Sequence, residues 1–144
     1  MNIVMKRALI TYCSRTGITK RFALQIHMAC KRNGLDATLV SIEEFNKDTL
    51  AGVDYLFLGC WTHGLIVLFQ HPDKPWVDFA RSLPDLDGKK IVLFTTYKVA
   101  TGSMFRKMRQ LIKCQPSGIV LELKSRDGTL SETNARLLKE IISN

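Results

Sequence analysis

Ala8-Leu9-Ile10-Thr11-Tyr12-Cys13-Ser14-Arg15-Thr16-Gly17-Ile18-Thr19-Lys20-Arg21-Phe22-Ala23 is an apolar run that breaks into hydroxyls around one glycine and then resumes at helical spacing. Residues 8–12 are short, apolar and partly β-branched, as a strand buried on both faces of a parallel sheet should be. Ser14, Thr16 and Thr19 surround Gly17, whose missing Cβ permits close backbone approach and a positive φ. Phe22, Ile26 and Ala29 recur at steps of three and four, which predicts a helix beginning near Gly17. The first N–H groups of that helix lack internal partners and carry the positive end of its dipole. Strand, loop and helix together form an anion site that a phosphate ester would fit.

The pattern Ser14-x-Thr16-Gly17-x-Thr19 resembles the FMN-phosphate loop of flavodoxins, in which hydroxyls and amides hold the phosphate without an arginine. Other phosphate loops are excluded. No Gly-Lys-Ser/Thr follows a four-residue gap, and a single glycine does not make the dinucleotide pattern. A tyrosine-phosphatase loop would need an arginine six positions after Cys13, where Thr19 stands. Taken alone, the stretch also suits an ordinary strand-to-helix turn capped by Ser or Thr. The resemblance implies that Ser14, Arg15, Thr16, Gly17, Ile18 and Thr19 contact the cofactor.

A chain of 144 residues, 46% of them hydrophobic, is expected to form one domain over residues 1–144 with a substantial core. No apolar run approaches the roughly 18 to 20 residues that cross a bilayer. The opening residues do not have the order of a signal peptide, so a cytoplasmic location is expected. Cys13, Cys30, Cys60 and Cys114 are scattered, without the spacing of a zinc site or a disulfide framework. Cys13 and Cys60 fall at two strand ends and can approach one another, with packing as the expected role.

Further along, strands are predicted at 36–42, 53–60 (ending in Gly59-Cys60), 90–96 and 118–123. Helices are predicted at 75–83, 103–114 and 131–142, and 43–50 reads as a turn or short helix. Asn33-Gly34 supplies a helix stop and Ser131 a cap. Five strands alternating with helices predict an α/β fold, a doubly wound five-stranded parallel sheet. Its expected order is 2-1-3-4-5, the flavodoxin-like one, with ligand at the carboxyl ends of strands 1, 3 and 4.

Two further loops reach that crevice. Gly59-Cys60-Trp61-Thr62-His63-Gly64 resembles the flavodoxin Gly-Ser-Pro-Thr-aromatic-Gly loop, with Trp61 in place of the proline and His63 where the stacking aromatic sits. The resemblance leaves open which of Trp61 and His63 covers the isoalloxazine. Gly64 would let its neighbouring peptide turn toward the flavin. After the fourth strand, Thr96, Tyr97, Lys98 and Gly102 lie where flavodoxins set backbone amides against the pyrimidine edge, although the familiar Gly-Asp pattern is missing. No long insertion interrupts the last strand, which implies a short-chain form.

Charge departs from the acidic pattern of electron-carrying flavodoxins, because the net value here is +8. A cation such as Lys98 near the ring would stabilise the reduced, anionic flavin and raise its potential. Arg106, Lys107, Arg109 and Lys113 share one predicted helix, which reads as a solvated face or as a dock for an acidic redox partner or reductase. Nucleic acid is disfavoured for want of a recognition motif. Leu65-Ile66-Val67-Leu68-Phe69 is an apolar run suited to a ring edge, an interface or the core. The resemblance implies an FMN-binding electron carrier. The alternatives are a flavodoxin-fold interaction or regulatory domain without flavin, and an FMN-dependent NAD(P)H:quinone-type reductase.

Overall fold

The computed structural model describes residues 4–63 and 70–144, so Gly64 and the apolar run at 65–69 lie outside the described residues. The chain runs β1 (Arg7–Cys13), α1 (Ile18–Arg32), β2 (Asp36–Ser41), β3 (Tyr55–His63), β4 (His71–Pro72), α2 (Lys74–Ser82), β5 (Lys90–Thr96), α3 (Met104–Leu111), β6 (Ile119–Ser125) and α4 (Glu132–Ser143). Short 3₁₀ turns occupy Lys47–Leu50 and Pro116–Gly118. The principal strands pair in parallel in the order β2-β1-β3-β5-β6, which is the expected order. The addition is β4, which pairs antiparallel with the end of β3 and so makes the sheet mixed at that point.

The central strands are continuous apolar runs because both faces of the sheet are covered, and alternate residues go to opposite layers. Leu56 and Leu58 of β3 pack with Trp76, Met104 and Met108 of α2 and α3. Tyr55 and Phe57 pack with Phe22 and Ile26 of α1 and Leu138 of α4. Phe22 meets Phe94 edge to face at 5.8 Å between ring centroids. The caps follow the sequence signals. Asn33 Nδ2 donates to the Ala29 carbonyl at 2.8 Å, Gly34 adopts φ +88°, and Ser131 Oγ accepts from Asn134 N at 3.1 Å.

Three elements end two or three residues away from expectation. β3 passes through Gly59 and Cys60 to His63, so Gly59 lies mid-strand, opposite Tyr12 and Phe94. A Cβ there would overlap the Phe94 ring, so the glycine serves close packing rather than a strand end. α3 stops at Leu111, which leaves Lys113 outside the helix. β6 continues to Ser125 because it pairs with β5 as far as Thr96.

Candidate cofactor site at the carboxyl edge of the sheet

The first loop leaves β1 at Cys13 and enters α1 through Gly17, which has φ +91° and ψ −9°. That left-handed conformation turns the chain sharply enough for the amides of the first helical turn to face the end of the sheet. Ser14 Oγ accepts from Gly17 N at 3.0 Å and Lys20 N at 3.3 Å, which leaves its O–H free to donate. α1 has no acidic residue in its first turn, so nothing of opposite sign competes for an anion. Arg15, Thr16, Gly17 and Ile18 are exposed.

The expectation of three hydroxyls gathered round Gly17 is corrected in one respect. Thr19 is buried, and its Oγ1 lies 2.6 Å from Thr96 Oγ1, tying α1 to the end of β5. Thr62 is treated alike: its Oγ1 is 2.8 Å from Thr95 Oγ1, which in turn donates to the Cys60 carbonyl at 2.6 Å. These buried pairs knit β3, β5 and α1 into a rigid floor, because a desolvated hydroxyl must find a partner. The threonines therefore shape the floor with their side chains.

Above the floor stands a column of rings. Trp61 and His63 have centroids 4.8 Å apart, and His63 and His71 4.6 Å apart. Trp61 is held by an Nε1–H bond to Asp73 Oδ2 at 3.3 Å, and the Arg15 guanidinium lies 5.4 Å from its ring centroid. Both candidate stacking residues are thus brought together. Arg15 is exposed and Trp61 half-buried, so the guanidinium is held over the indole by a modest attraction.

In the third loop Tyr97 is half-buried, while Lys98 and Gly102 are exposed. Tyr97 packs beneath Arg126 and Lys124, at 5.6 and 5.9 Å from its ring centroid, and its N–H bonds the Ser125 carbonyl at 3.2 Å. Arg126, Lys124 and Asp73 lie outside the three loop patterns of the sequence. The missed signal was Lys124-Ser125-Arg126 itself, because in the expected strand order the end of the last strand borders the loop after β5.

Cys13 and Cys60 are register partners on β1 and β3 and belong to one apolar cluster. Burial pushes the Cys60 thiol well above its ordinary range, while a hydrogen bond from Cys60 draws Cys13 down. The basic residues expected on one helix are largely engaged. Arg109 Nε pairs with Glu122 Oε2 at 2.7 Å, Lys107 Nζ donates to the Gln70 carbonyl at 2.9 Å, and Lys113 Nζ to the Leu83 carbonyl at 3.1 Å. Exposed cations instead ring the carboxyl edge: Arg15, Lys20, Arg21, Lys98, Lys124 and Arg126. Among the described residues, none of these six forms an ion pair.

A doubly wound sheet with an anion cradle and ring-bearing loops at its carboxyl edge defines a nucleotide- or flavin-type α/β protein. Comparison with known proteins narrows this. Residues 9–115 match the Flavodoxin domain family. The Megasphaera elsdenii flavodoxin is 35% identical over 101 residues, 70% of this chain and 72% of that one. The chain therefore belongs to the flavodoxin family. The solution structure of two-electron reduced Megasphaera elsdenii flavodoxin superposes with a TM-score of 0.71 at 24% identity, over 94% of this chain and 98% of that one. Oxidised Flavodoxin 2 from Bacillus cereus gives 0.70 at 20% identity, over 95% of each chain. The described residues contain no helix long and apolar enough to cross a membrane.

Proposed function

We propose that the chain binds FMN at this edge and carries electrons between partner proteins, one or two at a time, in the cytoplasm. The observation that carries the reading is the left-handed Gly17 with Ser14 Oγ bonded to two amides at the start of α1. This presents main-chain donors to an anion in the positive field of a helix N-terminus. The flavin, when bound, supplies the redox chemistry. Ser14 and Thr16 would donate to the phosphate beside the amides of Ile18 and Thr19, while Gly17, whose own amide is bonded to Ser14 Oγ, shapes the turn. Trp61 and His63 would supply ring surface, and the chain at Thr96, Tyr97, Lys98 and Gly102 would close the opposite side. Arg15 must leave Trp61 if that ring is to stack on the flavin.

The family membership supports the cofactor, and the cationic rim supports an acidic partner protein steered to the exposed edge of the ring. That rim offers more unpaired cations than α3, where Lys107 and Arg109 are engaged with Gln70 and Glu122 and the exposed Arg106 alone is left without a partner among the described residues.

Titration with FMN, followed by visible absorption and fluorescence, tests the cofactor. A shifted band and saturable quenching are expected in the wild type. Gly17→Val should lose both while the fold is retained by circular dichroism, and Thr16→Val should weaken binding. Absence of a response at high micromolar FMN would make the chain a flavodoxin-fold domain without flavin.

A further inference from the structure

The buried side-chain polar atoms without partners among the described residues are His63 Nδ1, both amide atoms of Gln70 and Trp76 Nε1. Trp76 belongs to α2. The others belong to the seam between the second and third loops of the site. His63 pairs with His71, so Gln70 immediately precedes the residue that closes the β3–β4 ladder. Gln70 is fully buried, and its carbonyl is anchored from the other side by Ser103 Oγ at 3.1 Å and Lys107 Nζ at 2.9 Å. The residue is held between the end of β3 and the segment after β5, the two segments expected to embrace a flat ring. Its carboxamide has given up water without gaining a bond among the described residues. Native proteins seldom keep such a group, because an unmet donor and acceptor both count against folding.

A carboxamide offers an acceptor and a donor side by side. Its complement is a planar group that presents N–H beside C=O, which a flavin carries along the imide edge of its pyrimidine ring. We infer that the Gln70 side chain is a binding residue for that edge, with Oε1 accepting from the ring N–H and Nε2 donating to the adjacent ring carbonyl. The inference rests on the flavin reading above and adds to it a residue outside the three recognised loop patterns. It also explains why the orphaned amide persists: the cost is carried by the free protein and recovered on binding. A site built to bond a polar edge discriminates against a ligand that lacks it far more than an apolar wall can.

Wild type and Gln70→Met are titrated with FMN and with N3-methyl-FMN, and the ligand-free proteins are melted. Wild type should bind the methylated ring about tenfold more weakly than FMN, or worse. Gln70→Met should bind FMN about tenfold more weakly than wild type does, hold both flavins alike, and melt no lower than wild type in the free state. If Gln70→Met fails to fold, Gln70→Glu retains the acceptor and should bind FMN in preference to its methylated form. Equal binding of the two flavins by wild type would overturn the inference. So would unchanged FMN affinity in Gln70→Met, or a lower melting point there with affinities intact. Folded wild type that binds neither flavin would overturn the cofactor reading, and the inference with it; the wild-type titration separates that outcome from the others.

Discussion

Gly17 and Gly59 are both glycines in the cofactor half of the molecule, yet they are required for different reasons. At Gly17 the constraint is the backbone: φ is +91°, and no heavy atom lies within 4 Å of a Cβ placed there. Gly17→Ala should therefore cost about 1–2 kcal/mol through strain alone, read as a lower urea midpoint, and should weaken FMN binding by displacing the first-turn amides. At Gly59 the constraint is a neighbour, because the added methyl would overlap the Phe94 ring. Gly59→Ala should cost about 1–3 kcal/mol by overpacking, and Gly59→Ala combined with Phe94→Leu should recover part of that loss in the same unfolding experiment. Ser14 acts through hydrogen bonds to two amides, so Ser14→Ala should lose about 1 kcal/mol of capping along with cofactor affinity.

Among the elements, α3 and the end of β6 exchange the roles that composition alone suggests. The helix carries Arg106, Lys107 and Arg109, but Lys107 and Arg109 reach inward to Gln70 and Glu122. β6 carries Lys124 near its end and Arg126 follows it, and both lie over Tyr97 with no carboxylate partner among the described residues. Electron exchange with an acidic protein, followed by stopped flow at low ionic strength, should slow about tenfold in Lys124→Glu/Arg126→Glu. Arg106→Glu should have a much smaller effect. An equal effect from the two would return the docking face to α3. The Arg109–Glu122 pair is part-exposed, so its removal should change stability by no more than about 1 kcal/mol.

For the whole molecule, the buried thiols set an alkaline limit. Burial pushes Cys30 up to about 12, from an ordinary value of 9.0. Above pH 9 the unfolded chain loses that proton while the folded chain keeps it, so stability falls as pH rises toward 12. Urea midpoints measured from pH 8 upward should decline, and Cys30→Ala should flatten the slope. On the acid side, Asp127 is held below its ordinary value by the Thr129 N–H and side chain. Its contribution is present above the unfolded carboxylate value and fades as pH falls through the folded one.

Local sequence determined the elements and their order, because hydrophobic period, a glycine at a turn and capping residues act over a few positions. The strand at β1, the helix after Gly17 and the five-membered parallel order were legible for that reason, as was the phosphate-type loop. Pairing decisions between distant segments belonged to the tertiary structure. β3 runs beyond Gly59 because β5 and β4 lie alongside to bond it. Thr19 and Thr62 turn inward because Thr96 and Thr95, far away in sequence, wait there with hydroxyls. The same cause put Arg126 over Tyr97 and left Gln70 buried in the seam. A hydrogen bond or an ion pair has no sequence signature until the fold brings its two halves within reach.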